Sequence, residues 1–521
     1  MNALGWLLAA AAGWALAVLV SLAGGGRPAA TRLCCALSAL GGAAALAGGV
    51  SSLWWGNSRV ITAGPAEVAG ALQLQATSLA GVFAALLGLV AVAIAAYVPR
   101  YHEPGPGSAL YLAVYNLALI ASVAVLAAGG VVTFLVAWES MALLCYLLIL
   151  RHPGRDAVAG GAFWFLALSE TGFVLVIAAL VILATKTHSM ELSVIAARAR
   201  LVNPAWRDTA FLLALAGFGC KAGLVPLHVW LPEAHPVAPA DGSAFLSGLI
   251  VKLGVYGIVL FAFRLLPVQP AWTGLITMAG GAVTAAIGIL YAMSERDLKR
   301  FLAYSTIENI GIIVTALGAA MIFGAYRQRA LAAFLLLAGL YQVANHGTYK
   351  TLLFLETGVI EHATGTRNMD RLGGLIHRLP RTAVITLVGT LGIAALPPLN
   401  GFVSEWLIFQ GLFQGFRIGS HLVGILIVVA GASLALTAGL AIMAFARSFG
   451  IPFLGMPRTR GAAAASEKGQ PLAGPGLLAA ACVALGVGAP LALTVLNRVV
   501  RATTGVDIHA RLLVPNLTVI P

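Results

Sequence analysis

The sequence predicts an all-α polytopic membrane protein of about fourteen transmembrane helices, with two inverted five-helix repeats that each contain a broken helix. Three observations lead there. Hydrophobic residues make up 60% of the 521 and charged residues only 9%, whereas a soluble domain is about 25% charged. Apolar runs long enough to cross a hydrocarbon core of roughly 30 Å follow one another with little polar sequence between them. Two of these runs are interrupted by proline and glycine close to a charged side chain.

Taken in order with a window of about 19 residues, the spans fall at 3–23, 32–53, 76–98, 109–128, 130–150, 158–184, 209–227, 242–265, 271–292, 301–322, 330–358, 382–412, 421–449 and 473–496. The first run, Asn2 to Leu22, has no basic segment before it and reads as a retained span, not a cleaved signal peptide. Ser189 to Val202 sets Leu192, Ile195 and Ala199 against Glu191, Arg198 and Arg200, the pattern of an interfacial helix. Met456 to Pro471, rich in Ala, Gly and Pro, reads as a linker. The chain then divides into four blocks: 1–108 with helices 1–3, 109–265 as the first repeat, 266–450 as the second, and 451–521 with the linker, helix 14 and a tail.

The net charge of +13 belongs to loops that orient spans and touch anionic headgroups. No basic, aromatic-rich soluble segment exists to bind nucleic acid. With fourteen spans both termini share a side. The loops opposite them hold the larger share of Lys and Arg, including Arg27, Arg32, Arg151, Arg155, Arg296, Lys299 and Arg300, so both termini are expected outside. The five cysteines form no C-x-x-C pair and no His/Cys group has ligand spacing. No metal and no cofactor is therefore expected, and no nucleotide or nucleophile motif is visible.

The two interruptions are Gly219-Cys-Lys-Ala-Gly-Leu-Val-Pro-Leu-His228 and Ala394-Ala-Leu-Pro-Pro-Leu-Asn-Gly401. Proline removes a helix hydrogen bond and clashes with the preceding turn. In lipid the freed carbonyls need partners, so such breaks survive only inside protein or beside a wet cavity. Five spans separate the two centres, the sign of inverted repeats with sites near the midplane. Kinks that only improve packing are the alternative.

A charge near the bilayer centre costs roughly 2.5–3.5 kcal/mol and marks an ion or proton path. Lys221, Lys252, Lys350, Glu139 and Glu405 are such residues. Lys221 is the natural partner of Glu139, and opening that pair would release a proton, because desolvation favours the neutral form of a buried lysine. A static ion pair is the bland reading. His228 lies seven residues beyond Lys221, on a similar face if the helix stays regular, and His346 and Lys350 are an i, i+4 pair. Histidine passes protons near neutral pH, although a buried one is often only hydrogen-bonded. Glu170, Glu308 and Glu356 form a second tier. The polar, proline-rich stretch His235 to Asp241 reads as a rigid connecting loop.

Lys221-Ala-Gly-Leu-Val-Pro-Leu-His-Val-Trp-Leu-Pro-Glu-Ala-His-Pro-Val-Ala-Pro-Ala-Asp-Gly-Ser-Ala-Phe-Leu-Ser-Gly248 resembles the signature of the antiporter-like subunits of respiratory complex I, a family shared with Mrp-type sodium/proton antiporters and energy-converting hydrogenases. Arg296-Asp-Leu-Lys-Arg-Phe-Leu-Ala-Tyr-Ser305 and Asn345-His-Gly-Thr-Tyr-Lys-Thr-Leu-Leu-Phe354 fit it too, and the match covers about residues 75–450. Ile307-Glu-Asn-Ile-Gly311 and Pro397-Pro-Leu-Asn-Gly-Phe-Val-Ser-Glu-Trp406 resemble the hydrogenase-4 component B and formate hydrogenlyase branch.

The resemblance implies a proton path along a polar axis. Glu139 and Lys221 would be its coupling pair, Lys252 the central relay, His346 and Lys350 the next, and Glu405 the station in the second broken helix. Glu170 departs from the pattern, where a neutral or histidine-type residue is expected. The implied function is proton translocation in a bacterial or archaeal cytoplasmic membrane, with no redox chemistry in this chain. The implied partners are other membrane subunits, lipid, and a peripheral hydrogenase or quinone-reducing arm. An Mrp-type antiporter subunit and an ion-coupled subunit for inorganic-carbon uptake are the alternatives.

Overall fold

The computed structural model describes residues 2–56, 60–63, 72–151, 156–267 and 269–508. Arg155 and residues 509–521 of the fourth block lie outside that range.

The chain is predominantly helical, as its apolar runs require. The first six helices are α1 (Ala3–Gly24), α2 (Pro28–Trp55), α3 (Ser78–Tyr101), α4 (Pro106–Leu126), α5 (Val131–Ile149) and α6 (Asp156–Thr187). Next come α7 (Leu192–Arg198), α8 (Pro204–Ala222), α9 (Trp230–Val237) and α10 (Ala240–Leu265). The second half contains α11 (Ala271–Ser294), α12 (Leu298–Ala325), α13 (Arg329–Thr364), α14 (Pro380–Ile393), α15 (Asn400–Leu412) and α16 (His421–Phe453), followed by α17 (Ala473–Val487) and α18 (Ala489–Thr504). Short side chains cap several starts: Asn2 Oδ1 accepts from Gly5 N, and Asp297 Oδ1 accepts from Lys299 N and Arg300 N.

Among the described residues, eleven helices are long and apolar enough to cross a membrane, or twelve if α17 and α18, bent by 82°, count as one. Three of the fourteen expected spans are therefore interrupted. The expected span 209–227 is α8, which carries Arg207, Asp208 and Lys221 and stops at Ala222, where Gly223 takes a left-handed conformation. The expected span 382–412 divides into α14 and α15 around the Pro397–Pro398 step. Hydropathy averaged over a window runs straight through such breaks.

A strand pair not expected from the sequence, β1 (Ile61–Ala63) against β2 (Leu72–Leu74), packs beside the end of α4 through Gly129 N to Gln73 O. In α7 Leu192 and Ile195 are buried while Arg198 is exposed, as an interfacial helix requires. The connecting loop expected over His235 to Asp241 shrinks to Ala238 and Pro239, because α9 runs to Val237 and α10 starts at Ala240, and both His235 and Asp241 are buried.

α10, α12 and α13 form the buried centre, with α1, α6 and α16 at the periphery. Small residues let the helices approach closely. Gly274 and Gly281 of α11 meet Gly318 and Gly311 of α12, Gly288 meets the Glu308 backbone, and a Cβ on Gly311 would lie 2.3 Å from the Ala285 backbone nitrogen. The three central helices carry most of the buried charge.

Candidate functional site: a buried polar axis

Three helices bring the first cluster together. Lys221, at the end of α8 and 2% exposed, donates to Ser169 Oγ of α6 at 2.8 Å and sits 4.8 Å from the centre of the Phe165 ring. Glu139 of α5 and Glu170 of α6, both half-buried, are the acidic neighbours of Lys221. No Glu139–Lys221 ion pair is closed to 4.0 Å among the described residues. The lysine is thus held by a hydroxyl, with a pair of carboxyls nearby. His228 lies beyond the end of α8, half-buried, so no continuous helix sets it on the face of Lys221.

Lys252 is fully buried on α10. A π-helical turn over Leu246–Ile250 precedes it, and its Nζ donates to the Ser247 carbonyl. Such turns open the i→i−4 ladder and recur at functional sites. Ser247 Oγ then meets Thr306 Oγ1 of α12 at 2.7 Å. His346 of α13 has Lys252 and Lys350 as its charged neighbours, and neither ring nitrogen has a protein partner among the described residues.

Lys350, one turn further along α13, donates to the Leu302 carbonyl at 2.9 Å and to Ser305 Oγ. Glu308 follows Ser305 on α12, with Lys350 and Glu405 as its charged neighbours. Beside it Asn309 Oδ1 accepts from Tyr349 OH at 2.8 Å and from Gln342 Nε2 at 3.0 Å. Gln342 Oε1 accepts from Ser404 Oγ, the residue before Glu405 on α15. Asn345 donates to Ser404 Oγ and to the Asn400 carbonyl, both at 2.9 Å, which fixes the start of α15 after the break. Glu405 is 6% exposed. Glu356 stands apart, accepting from Thr386 Oγ1 at 3.3 Å.

Asn309, Gln342, Tyr349 and Ser404 were not singled out from the sequence. The available signal was the helical stripe Gln342, His346, Tyr349 and Lys350 on one face of α13. A second unforeseen cluster lies at the start of α10, where His102 Nε2 is 2.9 Å from Asp241 Oδ2 and 3.1 Å from Arg151 Nη1.

A multi-pass bundle with titratable groups buried along its centre defines the class of polytopic membrane proteins with an intramembrane polar axis. Residues 128–435 match the family model described as NADH:quinone oxidoreductase/Mrp antiporter, transmembrane region, and the chain belongs to that family. Hydrogenase-4 component B of Escherichia coli (strain K12) is 37% identical over 423 residues, which cover 80% of this chain and 62% of that protein, so the chain spans less than two thirds of its length. Formate hydrogenlyase subunit 3 of the same organism is 35% identical over 466 residues, 88% of this chain and 74% of that one. Among solved structures, a chain of the Mrp complex from Dietzia sp. DQ12-45-1b superposes with a TM-score of 0.82 at 26% identity, over 97% of this chain and 52% of that one.

Proposed function

We propose that this chain is the proton-translocating membrane subunit of a complex I-like respiratory or hydrogenase complex. Protons would pass through Glu139, Lys221, His228, Lys252, His346, Lys350 and Glu405, driven by redox chemistry in a peripheral arm. The observation that carries this reading is the buried polar cluster of Lys350, Ser305, Glu308, Asn309, Gln342 and Ser404, with Glu405 beside it. It gives a proton polar groups to follow where lipid and apolar side chains offer none. The names of the hydrogenase-4 and formate hydrogenlyase relatives support a hydrogenase-type partner.

Counting α8–α9 and α14–α15 as broken spans and α17–α18 as a bent one restores fourteen crossings, with both termini outside the cytoplasmic membrane. α4 to α10 and α11 to α16 then form two inverted repeats, residues 109–265 and 266–450, with Lys221 and Glu405 flanking the two breaks. Lys350→Ala should abolish proton uptake into vesicles containing the assembled complex, followed with a pH-sensitive dye, while co-purification of the partner subunits persists. Normal uptake by that variant would sink the relay.

A second reading, an Mrp-type sodium/proton antiporter subunit, draws on the superposition with the Mrp complex. Sodium-driven proton movement in the absence of any redox substrate would select it.

A further inference from the structure

We propose that a cavity at one end of the bundle binds the phosphate group of an anionic phospholipid. Its volume is about 760 Å³, within the range of small-molecule sites. It lies where α3 and α13 begin and where α10, α12 and α18 end, at the level of one membrane surface. Arg200, Arg264, Arg327 and Arg329 line it, and among the described residues no Asp or Glu does.

None of the four arginines forms an ion pair among the described residues. Arg264 donates one N–H to Gln75 Oε1 at 3.2 Å and keeps the rest of its fork. The acid nearest in sequence to the lining, Asp507, is held by Arg501 at 3.2 Å. Four like charges around one cavity repel, and a guanidinium fork matches two oxygens of a phosphate. What the arrangement lacks is an anion.

Arg327 adds an independent observation. It occupies the position just past the end of α12 at φ 60°, where Gln328 N closes back onto Phe323 O at 2.8 Å. Glycine fits that left-handed position without strain, whereas an arginine there is disfavoured. The chain nevertheless places a guanidinium at this edge of the cavity. Leu79, Phe263 and Met321 supply apolar wall. A free phosphate would leave that wall unused, and an acyl chain would cover it, so the source is lipid.

The test uses the full chain in nanodiscs of phosphatidylcholine with increasing phosphatidylglycerol, with retained lipid counted by native mass spectrometry. Wild type should retain phosphatidylglycerol in preference to phosphatidylcholine. Arg264→Gln should weaken that retention about tenfold, the loss expected for one charge-assisted contact. Arg327→Gly should weaken retention while raising the melting temperature in lipid-free detergent. Retention unchanged in Arg264→Gln and in Arg327→Gly would overturn the site. Binding of inorganic phosphate at equal affinity, with no preference among lipids, would overturn the lipid as its source.

Discussion

Lys221 of α8 donates to Ser169 Oγ of α6 at 2.8 Å, while its acidic neighbours Glu139 of α5 and Glu170 of α6 stay out of ion-pair contact among the described residues. Two carboxyls beside one lysine offer its proton two acceptors in place of a single counter-ion. Neither forms an ion pair with Lys221 among the described residues, so a transfer between them requires the lysine to leave Ser169.

Glu139→Gln and Glu170→Gln should each lower proton uptake at least tenfold. Loss of one and the same carboxyl band from the infrared difference spectrum in both variants is the expected mark of two groups that titrate together beside Lys221. If Glu170→Gln pumps normally and keeps the band, Glu139 acts alone.

Gln342 is the hub of the second half, hydrogen-bonded to Asn309, Tyr349 and Ser404. Gln342→Leu should cost about 1–3 kcal/mol by leaving buried partners unsatisfied. It should also slow proton transfer to Glu405 while Lys350 still titrates. Ser404→Ala introduced on top should add little, since both act on one connection. Additive losses in a double-mutant cycle of uptake rates would argue for separate routes.

Packing of α11 on α12 depends on the absence of side chains at their contact. Gly311→Val would force methyl groups into the Ala285 backbone, already 2.3 Å from a Cβ. The expected result is a loss of about 1–3 kcal/mol of stability, read as a lower melting temperature in detergent. The equally helical Gly280, with nothing within 4 Å of a Cβ, should accept alanine without loss.

How much of this was legible in the sequence follows from cost. Lys221, Lys252, Lys350, Glu139 and Glu405 stand out because a charge in an apolar run is expensive and hence conspicuous. Asn309, Gln342 and Ser404 do not, because a neutral polar side chain on a long helix is unremarkable until packing brings three helices together. Glu170 looked like a departure from pattern, and only the approach of α8 to α6 gives it Lys221 as a neighbour. The breaks at Pro226 and Pro397 were readable from backbone chemistry. The largely helical course of His235 to Asp241 was not, because its two prolines disguise a buried turn that Trp230 and Leu231 anchor in the core.

The cluster at the start of α10 is a case where the two partners of one contact should behave differently. Asp241 is 1% exposed, with His102 and Arg151 as its neighbours. His102→Ala removes the group bonded to the carboxylate and leaves a buried charge short of a partner, at a cost of about 3–5 kcal/mol. Asp241→Asn keeps a side chain of the same shape that still bonds to the ring, so its cost should be nearer 1 kcal/mol. The double variant, His102→Ala with Asp241→Leu, should be more stable than His102→Ala alone, because no buried charge remains to be neutralised. Thermal unfolding in detergent decides the order: if His102→Ala is the mildest of the three, Asp241 is not held by the histidine, and the link from the end of α3 to the helix that carries Lys252 fails with it.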